Sequence, residues 1–314
     1  MKILDSTATR DALPFPELID ALRAMFVAGC HVPLRHNHKI AAEGGDGTVL
    51  IMPAWQDGGY LGIKTVNVFP GNAALGLPGL HSTYVLYDGR TGAPLAQLDG
   101  NEITSRRTAA ASALAAGYLA RPDATRMTLL GAGRVGSLVP EAYRAVLPIQ
   151  EVEVWDAVPA ASVRLVAHLN ALGFAARVVD DLPASVARAD VVTCATLATE
   201  PVVRGEWLAP GSHLDLIGSF TPAMREADDA CFAQASLFID TPEAFQKSGD
   251  LLGPLERKVI GNPDQWPTLE TLCRGQAQGR ANAAERTVFK AVGTALEDLA
   301  AAALVYARHA PAAA

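Results

Sequence analysis

The hydrophobic pattern at the start of the chain changes from a helical period to short strand-like runs. Residues 14–29 carry apolar side chains at helical spacing, which predicts an amphipathic helix. Between residues 31 and 98, β-rich runs are separated by Gly and Pro, with a hairpin turn predicted at 88–92. Residues 104–120 are alanine-rich and predict a second helix, which ends before Pro122. The first part of the chain is therefore predicted to be a helix followed by an antiparallel sheet or half-barrel.

Beyond residue 120, short apolar runs alternate with helical stretches, a pattern typical of a doubly wound parallel sheet with helices on both faces. A final alanine-rich helix, predicted over 283–309, follows the point where this α/β pattern is complete and is expected to return to the first domain. The predicted fold class is α/β, a Rossmann doubly wound parallel sheet plus a discontinuous α+β domain. The apolar runs lie at 126–131, 151–156, 176–180, 190–196, 212–218 and 236–240.

Composition and charge narrow the classes of protein that the chain could be. Hydrophobic residues make up 50% and charged residues 19%, close to the average for globular proteins. With 26 basic and 33 acidic residues the net charge is −7, which disfavours a nucleic-acid partner. The four cysteines are scattered and lack metal-ligand spacing, so no metal site is predicted and a reducing compartment is favoured. Without an apolar leader or a membrane-length run, a soluble, cytoplasmic protein with no membrane partner is expected.

A glycine-rich turn follows the first strand of the predicted parallel sheet. Residues 131–136 read GAGRVG, a GxGxxG motif that opens a helix and can cradle a pyrophosphate. Asp156 lies 20 residues further on, at the end of the next strand, where a carboxylate can accept hydrogen bonds from an adenosine ribose. Since a carboxylate repels a 2′-phosphate, NAD(H) is favoured and NADP(H) remains possible. The alternatives are a ligand-free turn and a solvated strand end. Pro140 is expected to bend the helix.

Three cations stand in otherwise apolar or Gly/Pro-rich surroundings in the first half of the chain: Arg35, Lys64 and Arg107. Lys64 lies inside a strand, where a buried lysine is costly unless it meets an anion. The alternative is a lysine whose stem runs out to solvent. Arg107 and Thr108 are predicted in the first turn of the alanine-rich helix, where free amides and a guanidinium could bind a phosphate or carboxylate. An ordinary helix start is the alternative there.

Several sequence blocks, in the same order and covering nearly the whole chain, resemble the ornithine cyclodeaminase/mu-crystallin family. The resemblance implies a substrate-binding and dimerisation domain at 1–118 and 286–314, and a Rossmann dinucleotide-binding domain at 119–285. It also implies a homodimer whose sheets join into one barrel. The blocks are IKTVNVFPGN at 63–72, GLPGLHSTYVL at 76–86, residues 94–122, LLGAGRVG at 129–136, residues 200–219 and residues 287–302.

The same resemblance implies roles for individual positions. Arg35, Lys64 and Arg107 match the carboxylate-binding positions of the family. The positions that match cofactor contacts are Thr108, Gly131, Ala132, Gly133, Arg134, Val135, Gly136, Asp156, Ala195, Thr196, Ile217 and Gly218.

Two departures from the cyclodeaminase pattern concern the substrate. Cyclodeaminases carry a Glu two residues before a Met-Pro pair and an acid two residues before a later Pro, where this chain has Leu50 and Phe220. Without these carboxylates a distal ammonium would be buried unpaired. Residues 218–229 instead resemble the branch of the family that reduces cyclic ketimines.

The predicted function is therefore NAD(P)H-dependent reduction of a cyclic ketimine carboxylate to the cyclic amino acid. The substrates implied are Δ1-pyrroline-2-carboxylate and/or Δ1-piperideine-2-carboxylate, which give proline or pipecolate. Lys64, Arg107 and Thr83 are the predicted catalytic residues, with Lys64 or a water held by Thr83 as proton donor. Arg35, Leu50 and Phe220 complete the predicted substrate contacts. The alternatives are an ornithine cyclodeaminase and a non-catalytic, crystallin-like dinucleotide-binding protein.

Overall fold

The computed structural model describes residues 1–42 and 45–309, and the chain divides into two compact units. The first unit comprises residues 1–107 and the segment from Thr294 onward, and the second comprises residues 108–293. Thirteen strands and ten α-helices form among the described residues. They are β1 (Lys2–Leu4), α1 (Ser6–Asp11), α2 (Phe15–Ala28), β2 (His36–Ile40), β3 (Gly47–Trp55), β4 (Tyr60–Val68), β5 (Leu80–Asp88), β6 (Pro94–Asp99), α3 (Gly100–Leu119), β7 (Arg126–Leu130), α4 (Val139–Arg144), β8 (Glu151–Trp155), α5 (Pro159–Ala171), β9 (Ala175–Val178), α6 (Leu182–Arg188), β10 (Val191–Cys194), β11 (His213–Leu216), β12 (Ser236–Ile239), α7 (Ala244–Lys247), α8 (Gly249–Glu256), α9 (Leu269–Cys273), β13 (Thr287–Lys290) and α10 (Ala295–His309).

The first unit contains the predicted helix and the predicted antiparallel sheet. α2 buries its apolar face and ends at Gly29, whose φ of +77° suits glycine. The six-stranded sheet has the order β1-β6-β5-β4-β3-β2, and its pairs are antiparallel except for β1 with β6. β1 and β2 were not predicted, because β1 has only three residues and all five residues of β2 are exposed. A strand exposed on both faces carries no apolar alternation.

One face of this sheet is buried beneath α10. The register places Met52, Lys64 and Tyr84 side by side on β3, β4 and β5, and all three are buried. α10 packs across β3, β4, β5 and β6. Gly62 is required on this face, because a Cβ there would overlap the Tyr84 hydroxyl. The burial of a lysine on an otherwise apolar and aromatic face demands a charged partner.

The second unit contains the predicted parallel sheet, with seven strands in the order β12-β13-β11-β10-β7-β8-β9. All of its strand pairs are parallel. The order of the strands reverses between β7 and β10, which makes this the topological switch point where doubly wound sheets bind their ligands. The predicted Rossmann fold is therefore confirmed.

The end of the second unit differs from the prediction. Residues 287–290, predicted as the start of the last helix, form β13, and α10 begins only at Ala295. β13 lies between β11 and β12 and all four of its residues are buried. A strand that is buried on both faces has no period of two, so its apolar run resembles a buried helix. The two compact units divide at 107/108 and 293/294, whereas the family resemblance implied boundaries at 118/119 and 285/286.

The helix after the glycine-rich turn is broken rather than bent. A 3-10 turn at Gly136–Leu138 precedes α4, and Pro140 occupies the first turn of that helix. Proline fits there because the first amides of a helix have no partner within it. Among the described residues, no helix is long and apolar enough to cross a membrane.

Candidate active site

A buried ion cluster in the first unit consists of Lys64, Arg107, Glu297 and Asp298. The Lys64 Nζ lies 2.5 Å from Asp298 Oδ2. The Arg107 Nε donates to Asp298 Oδ1 at 2.9 Å, and its Nη1 donates to Glu297 Oε2 at 2.7 Å. The two acids stand in the first turn of α10, so the helix that covers the sheet also brings the counter-ions. The anion that a buried Lys64 was predicted to meet is thus, in part, supplied by the chain itself.

The electrostatics of this cluster single out Lys64. The pKa of Lys64 is lowered to about 8, mainly by burial. Asp298 opposes this shift, and the charges of Arg107 and Arg35 add to it. Burial alone would raise the pKa of Asp298, but Lys64 and Arg107 hold it below its usual value. Asp298 therefore stays ionised at neutral pH. Lys64 is the member of the cluster that can release a proton near neutrality.

The structure places two further predicted substrate residues in relation to Lys64. Leu50 on β3 pairs with Val66 on β4, and Met52, two residues further along β3, pairs with Lys64. Because alternate residues of a strand point to the same face, Leu50 and Lys64 share one face of the sheet. Arg35 precedes β2, and its charge acts on the pKa of Lys64.

Thr83 lies on the other face of the sheet. Thr83 lies opposite Thr65 on β4 and Asp99 on β6. This pairing is one residue away from the pair of Lys64 and Tyr84, and the side chain of Thr83 is exposed. Successive side chains of a strand point to opposite faces. The prediction that Thr83 holds a water beside Lys64 is therefore wrong, and Lys64 is left as the candidate proton donor.

The predicted anion site at the start of the alanine-rich helix is also wrong. α3 begins at Gly100, and its first free amides, those of Asn101 and Glu102, donate to Asp99 Oδ1 at 2.9 Å each. Arg107 and Thr108 lie about two turns further along the helix, where amides bond within it. Arg107 can still bind a carboxylate, but through its guanidinium alone.

The glycine-rich turn of the second unit has the shape that a pyrophosphate requires. Gly131 has a φ of +104°, and a Cβ there would lie 2.5 Å from the Ala195 carbonyl oxygen. A Cβ at Gly136 would overlap the Gly131 carbonyl oxygen. A Cβ at Gly133 would have no other heavy atom within 4 Å. Within residues 1–42 and 45–309, the amides of Gly133 and Arg134 have no hydrogen-bond acceptor. Two glycines thus shape the turn, and the third leaves open space beside free donors, as phosphate binding needs.

Asp156 braces this turn. Its Oδ2 accepts from the Ala132 amide at 2.7 Å, and its Oδ1 accepts from the Val158 amide at 2.8 Å. A solvated strand end would not hold the amide of Ala132, which lies 24 residues earlier in the chain. A carboxylate can accept about four hydrogen bonds, so each oxygen can still accept one from a ribose hydroxyl.

The other predicted cofactor residues follow strands next to the switch point. Ala195 and Thr196 come directly after β10, and Ile217 and Gly218 come directly after β11. Parallel strands end at one edge of the sheet, so these segments and the glycine-rich turn after β7 lie along the same edge. The predicted substrate residue Phe220 is 47% exposed in the loop that follows.

Several buried charges were missed from the sequence in each of the two units. Glu297 and Asp298 lie inside the family block at 287–302, where a pair of acids at the start of an alanine-rich helix could have indicated them. Glu226, which contacts the segment after β10, was missed because it lies in the charged stretch at 225–229. Lys290, which contacts the segment after β11, was missed because its run was predicted to belong to the last helix. Among the described residues, no group of three His, Cys, Asp or Glu side chains could hold a metal ion.

Comparisons with known proteins match the whole chain. The profile of the ornithine cyclodeaminase/mu-crystallin family matches residues 4–312. The Δ1-pyrroline-2-carboxylate reductase of Paracoccus denitrificans is 41% identical over 255 residues, which cover 81% of this chain and 81% of that protein. The structure of Thermococcus litoralis Δ1-pyrroline-2-carboxylate reductase with NADH and L-proline is 31% identical, with a TM-score of 0.91 and coverage of 98% of this chain and 97% of that one. An archaeal alanine dehydrogenase dimer with bound NAD is 30% identical, with a TM-score of 0.88 and coverage of 98% and 95%.

These matches confirm the family and the fold class that the motif blocks predicted. The family profile covers the substrate-side blocks as well as the dinucleotide turn. The chain belongs to the ornithine cyclodeaminase/mu-crystallin family.

Proposed function

We propose that the protein is an oxidoreductase that reduces a cyclic ketimine carboxylate with NADH. The observation that carries the proposal is Lys64, a buried lysine whose pKa is lowered to about 8, on the same sheet face as Leu50. A group with this pKa can protonate a ring nitrogen near neutral pH. Δ1-pyrroline-2-carboxylate and Δ1-piperideine-2-carboxylate fit this chemistry, since each has a carboxylate, an imine nitrogen and apolar methylenes.

The residues divide the work between binding and proton transfer. Arg35 and the Arg107 guanidinium bind the carboxylate, and Asp298 keeps Arg107 and Lys64 oriented. Lys64 donates its proton to the imine nitrogen as the carbon of the C=N bond is reduced. The dinucleotide, when bound, supplies the hydride. Holding the planar C=N group in a fixed orientation accounts for much of the acceleration.

Leu50 favours reduction over ornithine cyclisation. A cyclodeaminase has to bind a flexible diamine and hold its distal ammonium, which requires an acceptor that neither Leu50 nor Phe220 offers. Ring methylenes gain about 0.8 kcal/mol for each CH₂ buried against an apolar side chain. Leu50 therefore stabilises a ketimine and penalises ornithine.

A substrate panel tests the proposal. NADH consumption is followed with the two cyclic ketimines and with pyruvate plus ammonia, and ammonia release is followed with ornithine and NAD. Saturable NADH oxidation with a ketimine and no ammonia from ornithine is expected. Ammonia release from ornithine without ketimine-dependent NADH oxidation would show a cyclodeaminase, and NADH binding with no turnover of any substrate would show a binding protein of the crystallin type.

The rate should depend on pH through Lys64. The donor must be protonated, so kcat/KM for the ketimine is expected to fall as the pH rises above about 8. Asp298 raises the pKa of Lys64, and Asp298→Asn should therefore move the fall to lower pH. The measurement is a pH–rate profile of both proteins. An unchanged profile in Asp298→Asn would show that the fall in kcat/KM does not come from deprotonation of Lys64.

Asp156 should determine the preference for NADH. Its carboxylate repels a 2′-phosphate, so Asp156→Ser is expected to raise the ratio of kcat/KM for NADPH to that for NADH by about tenfold or more. Asp180→Ser is the matched control, since Asp180 is exposed just beyond β9. An equal change in both variants would contradict the assignment of Asp156.

The first unit is expected to mediate a homodimer. β2 is an edge strand with five exposed residues, and the unpaired backbone groups of such an edge can pair with another chain. The archaeal alanine dehydrogenase with the same fold is a dimer. Analytical ultracentrifugation should show a dimer at micromolar protein, and a stable monomer there would contradict the expectation.

A further inference from the structure

The second unit buries a set of charges that the proposed chemistry does not use. Glu226, Asp250 and Lys290 are all 0% exposed. The pKa of the Glu226 carboxyl is raised to about 7, mainly by burial; Lys290 opposes this shift and Asp250 adds to it. Burying three ionisable groups together is costly unless each is held by specific partners. Their partners are the segments that follow β10 and β11.

Glu226 holds the segment after β10. Its Oε1 accepts from the Thr196 amide at 2.7 Å and from the Thr196 hydroxyl at 2.9 Å. The same carboxylate lies against the backbone of Gly218, where any Cβ would overlap Oε1. One carboxylate oxygen therefore fixes the backbone and the side chain of Thr196 and packs against the next segment.

Lys290 holds the segment after β11. It is the last residue of β13, and its Nζ donates to the Leu216 carbonyl at 3.1 Å and to the Gly218 carbonyl. Asp250 completes the set, because its Oδ2 lies 3.5 Å from Lys290 Nζ and its Oδ1 accepts from the Glu226 amide at 2.8 Å. The three charges thus link the ends of three neighbouring strands into one network.

The position of this network along the sheet edge indicates which half of a dinucleotide it serves. Asp156, after β8, is placed for the adenosine ribose, and the open turn after β7 is placed for the pyrophosphate. A dinucleotide that crosses the switch point in that direction extends over β10 and β11. Thr196 and Gly218 are therefore on the nicotinamide side, away from the adenosine.

We propose that Glu226 and Lys290 are positioning residues for the nicotinamide half of the cofactor, acting through Thr196 and Gly218. This inference rests on the proposed use of NADH. Neither residue touches the reacting atoms. Glu226 sets the direction of the Thr196 hydroxyl and amide, and Lys290 sets the carbonyl of Gly218, so that the nicotinamide ring meets a rigid surface.

Titration of two ligands by isothermal calorimetry separates positioning from general stability. NADH contains the nicotinamide, whereas ADP-ribose contains only the adenosine, pyrophosphate and second ribose. Glu226→Ala is expected to weaken NADH binding by about tenfold while ADP-ribose affinity stays the same, because only the nicotinamide segment loses its support. Glu226→Gln keeps an oxygen that can accept from Thr196 and should restore most of the NADH affinity.

The control is Glu153→Ala. Glu153 is also a buried glutamate of this sheet, but it lies on β8 and pairs with Arg177 and Arg188. Its loss should therefore lower thermal stability without changing the ratio of the two affinities.

If Glu226→Ala does not fold, Thr196→Val is used in its place, since it removes only the hydroxyl and should also weaken NADH binding selectively. Equal weakening of both ligands, or of neither, would overturn the inference. A wild-type protein that binds neither ligand would overturn it together with the proposed cofactor, whereas one that binds NADH and reduces no ketimine would overturn only the proposed reaction.

Discussion

Lys64→Ala is expected to lower kcat for ketimine reduction by about 10² to 10⁴-fold, the usual contribution of a general acid. In the proposed mechanism, the Nζ that lies 2.5 Å from Asp298 protonates the substrate nitrogen. Because Lys64 belongs to the first unit and the glycine-rich turn to the second, NADH affinity should remain at the wild-type value. Steady-state kinetics with Δ1-pyrroline-2-carboxylate and NADH titration are the measurements.

The control for this variant is Lys39→Ala. Lys39 lies on β2 of the same sheet, where it is exposed and donates to Thr48 at 2.9 Å, so its removal should leave kcat unchanged. A cooperative thermal unfolding transition shows that Lys64→Ala is folded, and its melting temperature is expected to fall because Asp298 loses one of its two ion-pair partners. Wild-type kcat in folded Lys64→Ala would refute the role of Lys64 as proton donor.

Gly133→Val is expected to weaken NADH binding by about tenfold to a hundredfold, the loss of one charge-assisted hydrogen bond or more to the pyrophosphate. The side chain would fill the open space beside the free amides of the turn. Since nothing lies within 4 Å of that position, the melting temperature should not change. Titration with NADH and thermal unfolding together test both statements.

Two other glycines separate this effect from a general loss of structure. Gly261 is also exposed with open space around it, and Gly261→Val should change neither NADH affinity nor stability. Gly131→Ala should lower the melting temperature, because a side chain there meets the Ala195 carbonyl and a φ of +104°. Wild-type NADH affinity in Gly133→Val would contradict a pyrophosphate in this turn.

The sequence predicted those parts of the fold whose signals are local. The period of α2, the glycine-rich turn and the alternation of strands and helices are all contained in short windows, and each is present in the structure. β13 could not be predicted in this way, because all four of its residues are buried and its pairing partners, β11 and β12, lie far earlier in the chain. The start of α3 at Gly100 was missed because Asp99, its capping residue, also ends a strand.

The site was predicted less completely than the fold. Lys64 and Arg107 could be selected because charges in apolar runs are unusual, but their partners Glu297 and Asp298 are at least 190 residues further along the chain. No spacing rule connects positions so far apart. Thr83 was predicted on the wrong face of the sheet for a related reason. Which residues of neighbouring strands share a face depends on the strand register, and a shift of one position reverses it.

The central claim is that hydride passes from NADH to the carbon of a cyclic C=N bond, and isotope transfer tests it directly. The enzyme is incubated with Δ1-pyrroline-2-carboxylate and NADH in which both hydrogens on the nicotinamide C4 are replaced by deuterium. The product is then analysed by mass spectrometry. The account predicts proline with one deuterium, located at Cα. Proline without deuterium, or no proline while ornithine yields ammonia, would contradict it.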